Sequence, residues 1–310
     1  MSTGSGRTTT SRHGSRRGCR VPKSDLNELL GILDLSEVGD DLFTGRHPRK
    51  NPIRTFGGQL MAQAFVAASR TVADELPPSA LAVHFIAGGD PATDIEFHVH
   101  RLRDERRFAN RRVDVMQHGT LLATALISYL AGGRGLEHGF TAPVVPDPLD
   151  LPTIDELLVG YENVVPAFVD ALRPIEWRYT NDPAWVMRHK GDRLDINRVW
   201  MTAAGAMPED PVLHTAAMIY SSDTTVLDSI ITTHGLSWGW DRIFAVTINH
   251  SVWFHRQVDF SEWVLYSTAS PAAADSRGLG MGHFFNRAGE VVATVAQEGI
   301  VKHFGKSGRD

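Results

Sequence analysis

Several residue groups have types and spacings that could do chemistry. Gly235-Leu-Ser-Trp-Gly239 fits G-x-S-x-G, which would make Ser237 the nucleophile of a serine hydrolase. That motif works between a preceding strand and a following helix, where a tight turn lifts the hydroxyl clear. Here a helical pattern precedes it and a strand-like run, Ile243–Asn249, follows, so the match is a false positive. Glu96, His98 and His100 alternate along one strand-like run and share a face. The spacing permits metal ligation, but further ligands are lacking, and the expectation is a solvated sheet face with no metal. Arg101, Arg103, Arg106, Arg107, Arg111 and Arg112 crowd one hairpin. Guanidinium groups suit phosphate, so Arg111 and Arg112 are candidates for an anionic substrate; the alternative is a solvated turn paired with Asp104 and Glu105. Gly57-Gly58 stands at an expected helix start, where backbone N–H groups and the helix dipole can stabilise an oxyanion. Close helix–sheet packing is the equally simple role. Trp238, Trp240, Trp253 and Trp263 could line an apolar tunnel, against a default of core packing.

The elements that must position these groups can be read from periodicity. Ser24-Asp-Leu-Asn reads as a helix start, followed by Leu26, Leu29, Leu30 and Leu33 at helical spacing. A second helix is expected from Gly57 to Val72; its small and apolar residues on nearly all sides imply burial. Strand-like runs follow at Leu81–Ile86, Asp94–Leu102, Phe108–Gln117 and Leu121–Leu130, punctuated by Gly88-Gly89 and His118-Gly119. Residues 132–152 hold four prolines and read as a linker. The second half repeats the order. A strand-rich stretch at Ile175–Met201 precedes a helix from Asp210 or Pro211 through His234. Strands follow at Ile243–Arg256, Trp263–Ala269, Met281–Asn286 and Val291–His303. The closing hairpins match: Gln117-His-Gly-Thr-Leu-Leu-Ala-Thr lies over Arg287-Ala-Gly-Glu-Val-Val-Ala-Thr, with Gly119 and Gly289 offset by 170. The repeat implies duplication. It predicts an α+β chain of two tandem units, 25–131 and 153–310, each a central helix wrapped by an antiparallel sheet. Pairing the sheets edge to edge would hide vulnerable edge strands.

Composition narrows the function classes. The chain has 310 residues, 42% hydrophobic and 22% charged, ordinary for a globular protein. One cysteine, Cys19, forms no internal disulfide, and no apolar run reaches membrane-spanning length. The expected location is therefore cytoplasmic. Residues 1–24 carry six basic side chains and no acid, leaving 25 basic and 36 acidic residues, or −11, in the rest. The tail reads as a disordered extension. It lacks the apolar centre of a signal peptide, and a transit peptide fits it less well for want of an apolar face. The acidic body argues against general nucleic-acid binding.

Three segments carry a family resemblance: Thr55-Phe-Gly-Gly-Gln-Leu-Met-Ala-Gln-Ala, then Leu102-Arg-Asp-Glu-Arg-Arg-Phe-Ala-Asn-Arg-Arg-Val, then a C-terminal set. That set is Tyr220-Ser-Ser-Asp, Thr247-Ile-Asn-His-Ser-Val-Trp-Phe-His-Arg and Ala296-Gln-Glu-Gly. Together they resemble the TesB-like acyl-CoA thioesterase II family, over roughly residues 25–303. The resemblance implies a double hotdog fold, an acyl-CoA substrate, no cofactor, and assembly as a homodimer or homotetramer. It also implies a water-activating trio at Asp223, Thr247 and Gln297. The family's Phe-Leu-Arg-Pro-Gly-Asp appears here as Phe85-Ile-Ala-Gly-Gly-Asp, and its acid after Thr-Ile is Asn249, which bears on substrate preference.

The implied chemistry is self-consistent. An ionised Asp223 can take a proton from water as general base. Thr247 and Gln297 can orient that water. Gly57 and Gly58 can supply oxyanion donors, and the hairpin arginines can meet the coenzyme A phosphates. By the 170 offset the partner of Gln297 is Ile127, so one site per chain is expected, in the second half. Three rival readings stand beside hydrolysis by this trio. One is the Ser237 hydrolase. Another is a hotdog-fold enoyl-CoA hydratase, which usually pairs an Asp with a His five residues on, where this chain has Asp228. The last is a non-catalytic acyl-CoA-binding protein.

Overall fold

The structure is a computed structural model that describes Met1 and residues 26–48, 55–165 and 174–306. The basic tail and the helix start expected at Ser24 lie outside the described residues. The first unit holds α1 (Leu26–Leu33), β1 (Ser36–Gly39), β2 (Leu42–Gly45), α2 (Gly57–Ser69), β3 (Pro78–Phe85), β4 (Ile95–Glu105), β5 (Phe108–Gln117) and β6 (Thr120–Leu130). Residues 131–147 contain neither helix nor strand. The rest holds α3 (Ile154–Leu157), β7 (Ile175–Tyr179), α4 (Ala184–Lys190), β8 (Ile196–Ala203), α5 (Pro211–Ser222), α6 (Asp228–Thr233), β9 (Asp241–Phe254), β10 (Val264–Ala274), β11 (Arg277–Phe285) and β12 (Val291–Lys306).

Among the described residues the strands form one antiparallel sheet of 12, in the order β1-β2-β4-β5-β6-β3-β9-β12-β11-β10-β8-β7. Read outward from the centre, each half repeats the other: β3 matches β9, β6 matches β12, and β5 matches β11. The halves join where β3 pairs with β9, Val83 opposite His250. Neither central edge is left open, which removes a template for aggregation. This is the expected double hotdog. Each half wraps a helix made of small and apolar residues. In α2 eleven residues from Gly58 to Ala68 are buried, and in α5 all residues from His214 to Ser222 are. Strand alternation supplies the concave wall: along β5 residues 109, 111, 113, 115 and 117 are buried and their neighbours are not.

Three expectations need correction. The strand-rich stretch 175–201 is interrupted by α4. Strands β10 and β11 run past Ala269 and begin before Met281, because Asp275 and Ser276 turn with positive φ (51° and 61°) without a glycine to signal it. The helix expected from 210 to 234 breaks after Ser222, and Asp223 is its C-terminal cap. Local hydroxyls accompany the break: Ser221 and Thr224 donate to the carbonyls of Ala217 and Ser221, bonds that compete with the helical ladder.

The two helix ends are treated oppositely. Beyond the end of α2, Arg111 lies fully buried. It donates to the Thr71 hydroxyl (2.7 Å) and carbonyl (2.8 Å), to the Arg103 carbonyl (3.0 Å) and to Asp104 (2.6 Å). A cation at a helix C-terminus complements the helix dipole. Substituting Arg111→Met should lower unfolding stability by about 2–4 kcal/mol, since buried carbonyls lose their donors. Chemical denaturation would measure this, and the folded variant should keep kcat/KM within about threefold, because Arg111 acts on the fold.

Candidate active site

At the other helix end the charge is reversed. The start of α2 meets the end of α5, and Asp223 sits in the gap. Its Oδ2 accepts the Gly58 N–H at 2.8 Å, across the two halves of the chain. The approach requires glycine: a Cβ on residue 58 would lie 2.5 Å from the Tyr220 carbonyl oxygen, and one on residue 57 would lie 2.8 Å from Asp223 Oδ2. Phe56 packs edge-on against Tyr220 at 5.0 Å and fixes the junction.

The second oxygen of Asp223 accepts from Gln297 Nε2 at 2.8 Å, and the same nitrogen donates to Thr247 Oγ1 at 2.7 Å. Gln297 is fully buried on β12, while Asp223 and Thr247 keep a partial opening to solvent. Thr247 reaches Gln297 because β9 is irregular. Glu298 faces Asn249 and Gly299 faces Thr247, so Ile248 is an extra residue, a β-bulge. Without it Thr247 and His250, three apart, would point to opposite faces. With it both side chains hydrogen-bond to Gln297. Bulges re-aim side chains in this way.

Burial pushes the Asp223 carboxyl up to about 6, and the bonds from Gln297 and Gly58 oppose that rise. A carboxyl at the C-terminal end of a helix is also poorly placed for the dipole of α5, though well placed for that of α2. Both amide protons of Gln297 are already taken, so this residue holds the carboxylate and the hydroxyl rather than a water. Each Asp223 oxygen retains a lone pair. Among the described residues, no acceptor takes the Gly57 N–H or the hydroxyl proton of Thr247.

The remaining candidates lie elsewhere. Gly58 N–H, expected as an oxyanion donor, is engaged by Asp223. Arg111 stands beyond the far end of α2, about 20 Å along the helix from Gly58, with its donors committed to protein; it does not face the trio. Arg112 lies on the outer face of β5, paired with Asp114 at 3.1 Å. Arg101 and Arg103 pair with Asp41 and Glu105. Ser237 is buried, and its hydroxyl donates to the Trp238 carbonyl at 3.1 Å, not to a base. Trp238 and Trp240 donate to Asp228 and to the Trp185 carbonyl, and Trp253 is exposed. Among the described residues no His, Cys, Asp or Glu group has a metal-holding arrangement. The residue missed in sequence is His250, fully buried, whose Nδ1 bonds Gln297 Oε1 and whose Nε2 meets Ser222 Oγ at 2.9 Å. Its position opposite Gln297 depends on the β9–β12 register, which no local pattern reveals.

Comparison with known proteins places this double hotdog among acyl-CoA thioesterases. Residues 168–300 match the acyl-CoA thioesterase family model, and residues 46–130 match that of the acyl-CoA thioesterase N-terminal domain. The chain is 31% identical to human acyl-coenzyme A thioesterase 8, over 91% of each chain. It is 29% identical to acyl-CoA thioesterase 2 of Haemophilus influenzae, covering 89% of this chain and 98% of that one. The solved tesB protein of Mycobacterium avium subs paratuberculosis superposes with a TM-score of 0.75 at 29% identity, over 90% of this chain and 100% of that one. The chain belongs to the acyl-CoA thioesterase II family.

Substituting Gly58→Ala should wedge α2 from α5 and break the bond to Asp223. We expect kcat to fall by about 10²-fold, in line with an ångström-scale displacement of a reacting group; steady-state kinetics on the folded variant would check it.

Proposed function

We propose that this acyl-CoA thioester hydrolase cleaves fatty acyl-CoA to free fatty acid and coenzyme A, with water activated by Asp223, whose carboxylate Gln297 holds beside Thr247. The observation that carries this reading is the buried carboxylate, bonded on both oxygens to Gly58 and Gln297, in a residue that is itself only half-buried. A water on a free lone pair of Asp223 attacks the thioester carbonyl carbon, and Asp223 takes its proton. The C–O bond forms as the carbonyl oxygen becomes an oxyanion, for which the Gly57 N–H and the Thr247 hydroxyl are the available donors. Collapse breaks the C–S bond, and the proton on Asp223 passes to the leaving sulfur. Helix α2 supports the oxyanion role by directing its positive end to this place.

The geometry disfavours the rivals. A hydratase needs a second acid–base group facing the substrate. Asp228 instead accepts from Trp238 Nε1 at 2.6 Å, and His250 is buried behind Gln297. A binding protein without turnover would hold acyl-CoA and release no thiol, which the assay below decides. The reading includes a cytoplasmic enzyme of two or four copies, which light scattering on the purified protein would count. No helix among the described residues is long and apolar enough to cross a membrane.

Release of free thiol from acyl-CoA substrates of graded chain length, followed with a thiol reagent, tests the proposal. Asp223→Asn should lower kcat by about 10²–10⁴-fold. Protein that releases no thiol at any chain length, or an Asn variant near the wild-type rate, would overturn it. The pH profile gives a second check. Only ionised Asp223 accepts a proton, so kcat/KM should fall about tenfold per pH unit below about 6 and level off above it.

A further inference from the structure

We propose that His250 is a positioning residue, whose ring holds the Gln297 side-chain amide in the single orientation that presents both amide protons to Asp223 and Thr247. The inference rests on the reading of the trio given above and extends it by one residue.

The hydrogen bonds form a closed circuit. Gln297 Nε2 donates to Asp223 and Thr247, so its Oε1 is left as an acceptor. The partner of Oε1 is His250 Nδ1, which must therefore carry the ring proton. His250 is neutral near pH 7, because burial pushes it down to about 4 against the opposing Gln297 bond. A neutral ring protonated on Nδ1 has a bare Nε2, 2.9 Å from Ser222 Oγ; the single Ser222 proton, which also has the Ile219 carbonyl within reach at 2.7 Å, goes to that nitrogen. Ser222 is joined by one peptide bond to Asp223, and its carbonyl accepts from the Tyr266 hydroxyl at 3.0 Å. Carboxylate, amide, imidazole, hydroxyl and peptide link thus close on themselves. Ser222, His250 and Gln297 are all fully buried.

The circuit matters because an amide has two nearly isosteric orientations. Rotated by half a turn, Gln297 would aim its oxygen at the Asp223 carboxylate and its N–H groups at the His250 N–H. Both contacts are repulsive, and both are buried, where an unsatisfied polar group costs about 1–3 kcal/mol. Among the described residues, His250 is the donor that holds Oε1. Without it the penalty for the wrong orientation is reduced, and the carboxylate loses its partner for part of the time. His250 does not act on substrate itself, since both nitrogens are occupied and its ring is sealed behind Gln297. The other titratable side chains near Asp223 are Tyr220 from α5 and Tyr266 from β10, and burial keeps both phenols neutral.

Three variants of the full chain separate positioning from general structure. In His250→Asn the side-chain amide takes the place of Nδ1 and can still donate to Gln297. In His250→Gln it takes the place of Nε2, keeping a partner for Ser222 and losing the donor to Gln297. His250→Leu loses both. We expect the Asn variant to stay within about tenfold of wild-type kcat, and the Gln and Leu variants to fall about 10²-fold with KM within about threefold. In the two weak variants the acid limb of the pH profile should move upward, because the Gln297 bond that holds Asp223 down is loosened. In a Gln297→Ala background the His250→Gln change should add less than about threefold, since the residue it orients is gone.

Equal losses in the Asn and Gln variants, an unmoved acid limb, or an undiminished effect in the Gln297→Ala background would overturn the proposal. The Asn–Gln comparison decides even if the Leu variant does not fold. If Asp223→Asn and Gln297→Ala themselves keep near wild-type rates, the trio reading has failed, which is a distinct result.

Discussion

A single hydrogen bond, from the Gly58 N–H to the Asp223 carboxylate, joins the two halves of this protein at the place proposed for its chemistry. The bond needs the start of α2 to lie against the end of α5. That contact needs glycine at 57 and 58, because side chains there would collide with Asp223, Tyr220 and Phe56. It also needs the two halves of the sheet to meet at β3 and β9, which sets the helices they wrap. Burial makes the carboxyl a weaker acid, and the two donors prevent that from going further. An acid near 6 is ionised at neutral pH yet still binds a proton readily, as a general base requires.

Duplication brings two equivalent positions and the chain uses them differently. In the second half Gly280 faces Gln297 across the β11–β12 ladder; in the first, Arg111 faces Ile127 across β5–β6. The glycine leaves room for the Val226 carbonyl, 2.6 Å from where a Cβ would stand. The arginine instead fills its half and satisfies the carbonyls beyond α2. One helix end is closed with a cation, which is electrostatically favourable. The other receives an anion, which is unfavourable for α5 and is offset by the facing end of α2. Strain of this kind is tolerated where function requires it.

The elements of the fold were largely legible. Alternation along β5 and β6, the apolar sides of α2 and the matched hairpins at Gly119 and Gly289 all mark local structure. Their repetition implied the double unit. What escaped was local competition that ordinary signals do not carry. The helical pattern runs on through Asp223, yet the chain leaves the helix at that residue, where the Ser221 and Thr224 hydroxyls take nearby carbonyls. The arginine hairpin fits either a phosphate site or a self-paired turn; in the fold Arg101, Arg103, Arg111 and Arg112 pair with Asp41, Glu105, Asp104 and Asp114, and Arg111 points inward. Residue type alone does not distinguish a buried structural guanidinium from an exposed binding one.

By itself the sequence determined the two tandem units, the glycine pair at a helix start, and, through resemblance, the names of Asp223, Thr247 and Gln297. These follow from periodicity and motif, which are properties of neighbouring residues. The tertiary structure decided the rest. It placed Gly58 on Asp223, 165 residues away, and inserted Ile248 as a bulge so that Thr247 joins His250 on Gln297. It also placed His250 and Ser222 behind Gln297. Such contacts depend on strand register and helix-end geometry, and a one-residue change in register would reverse every side chain involved.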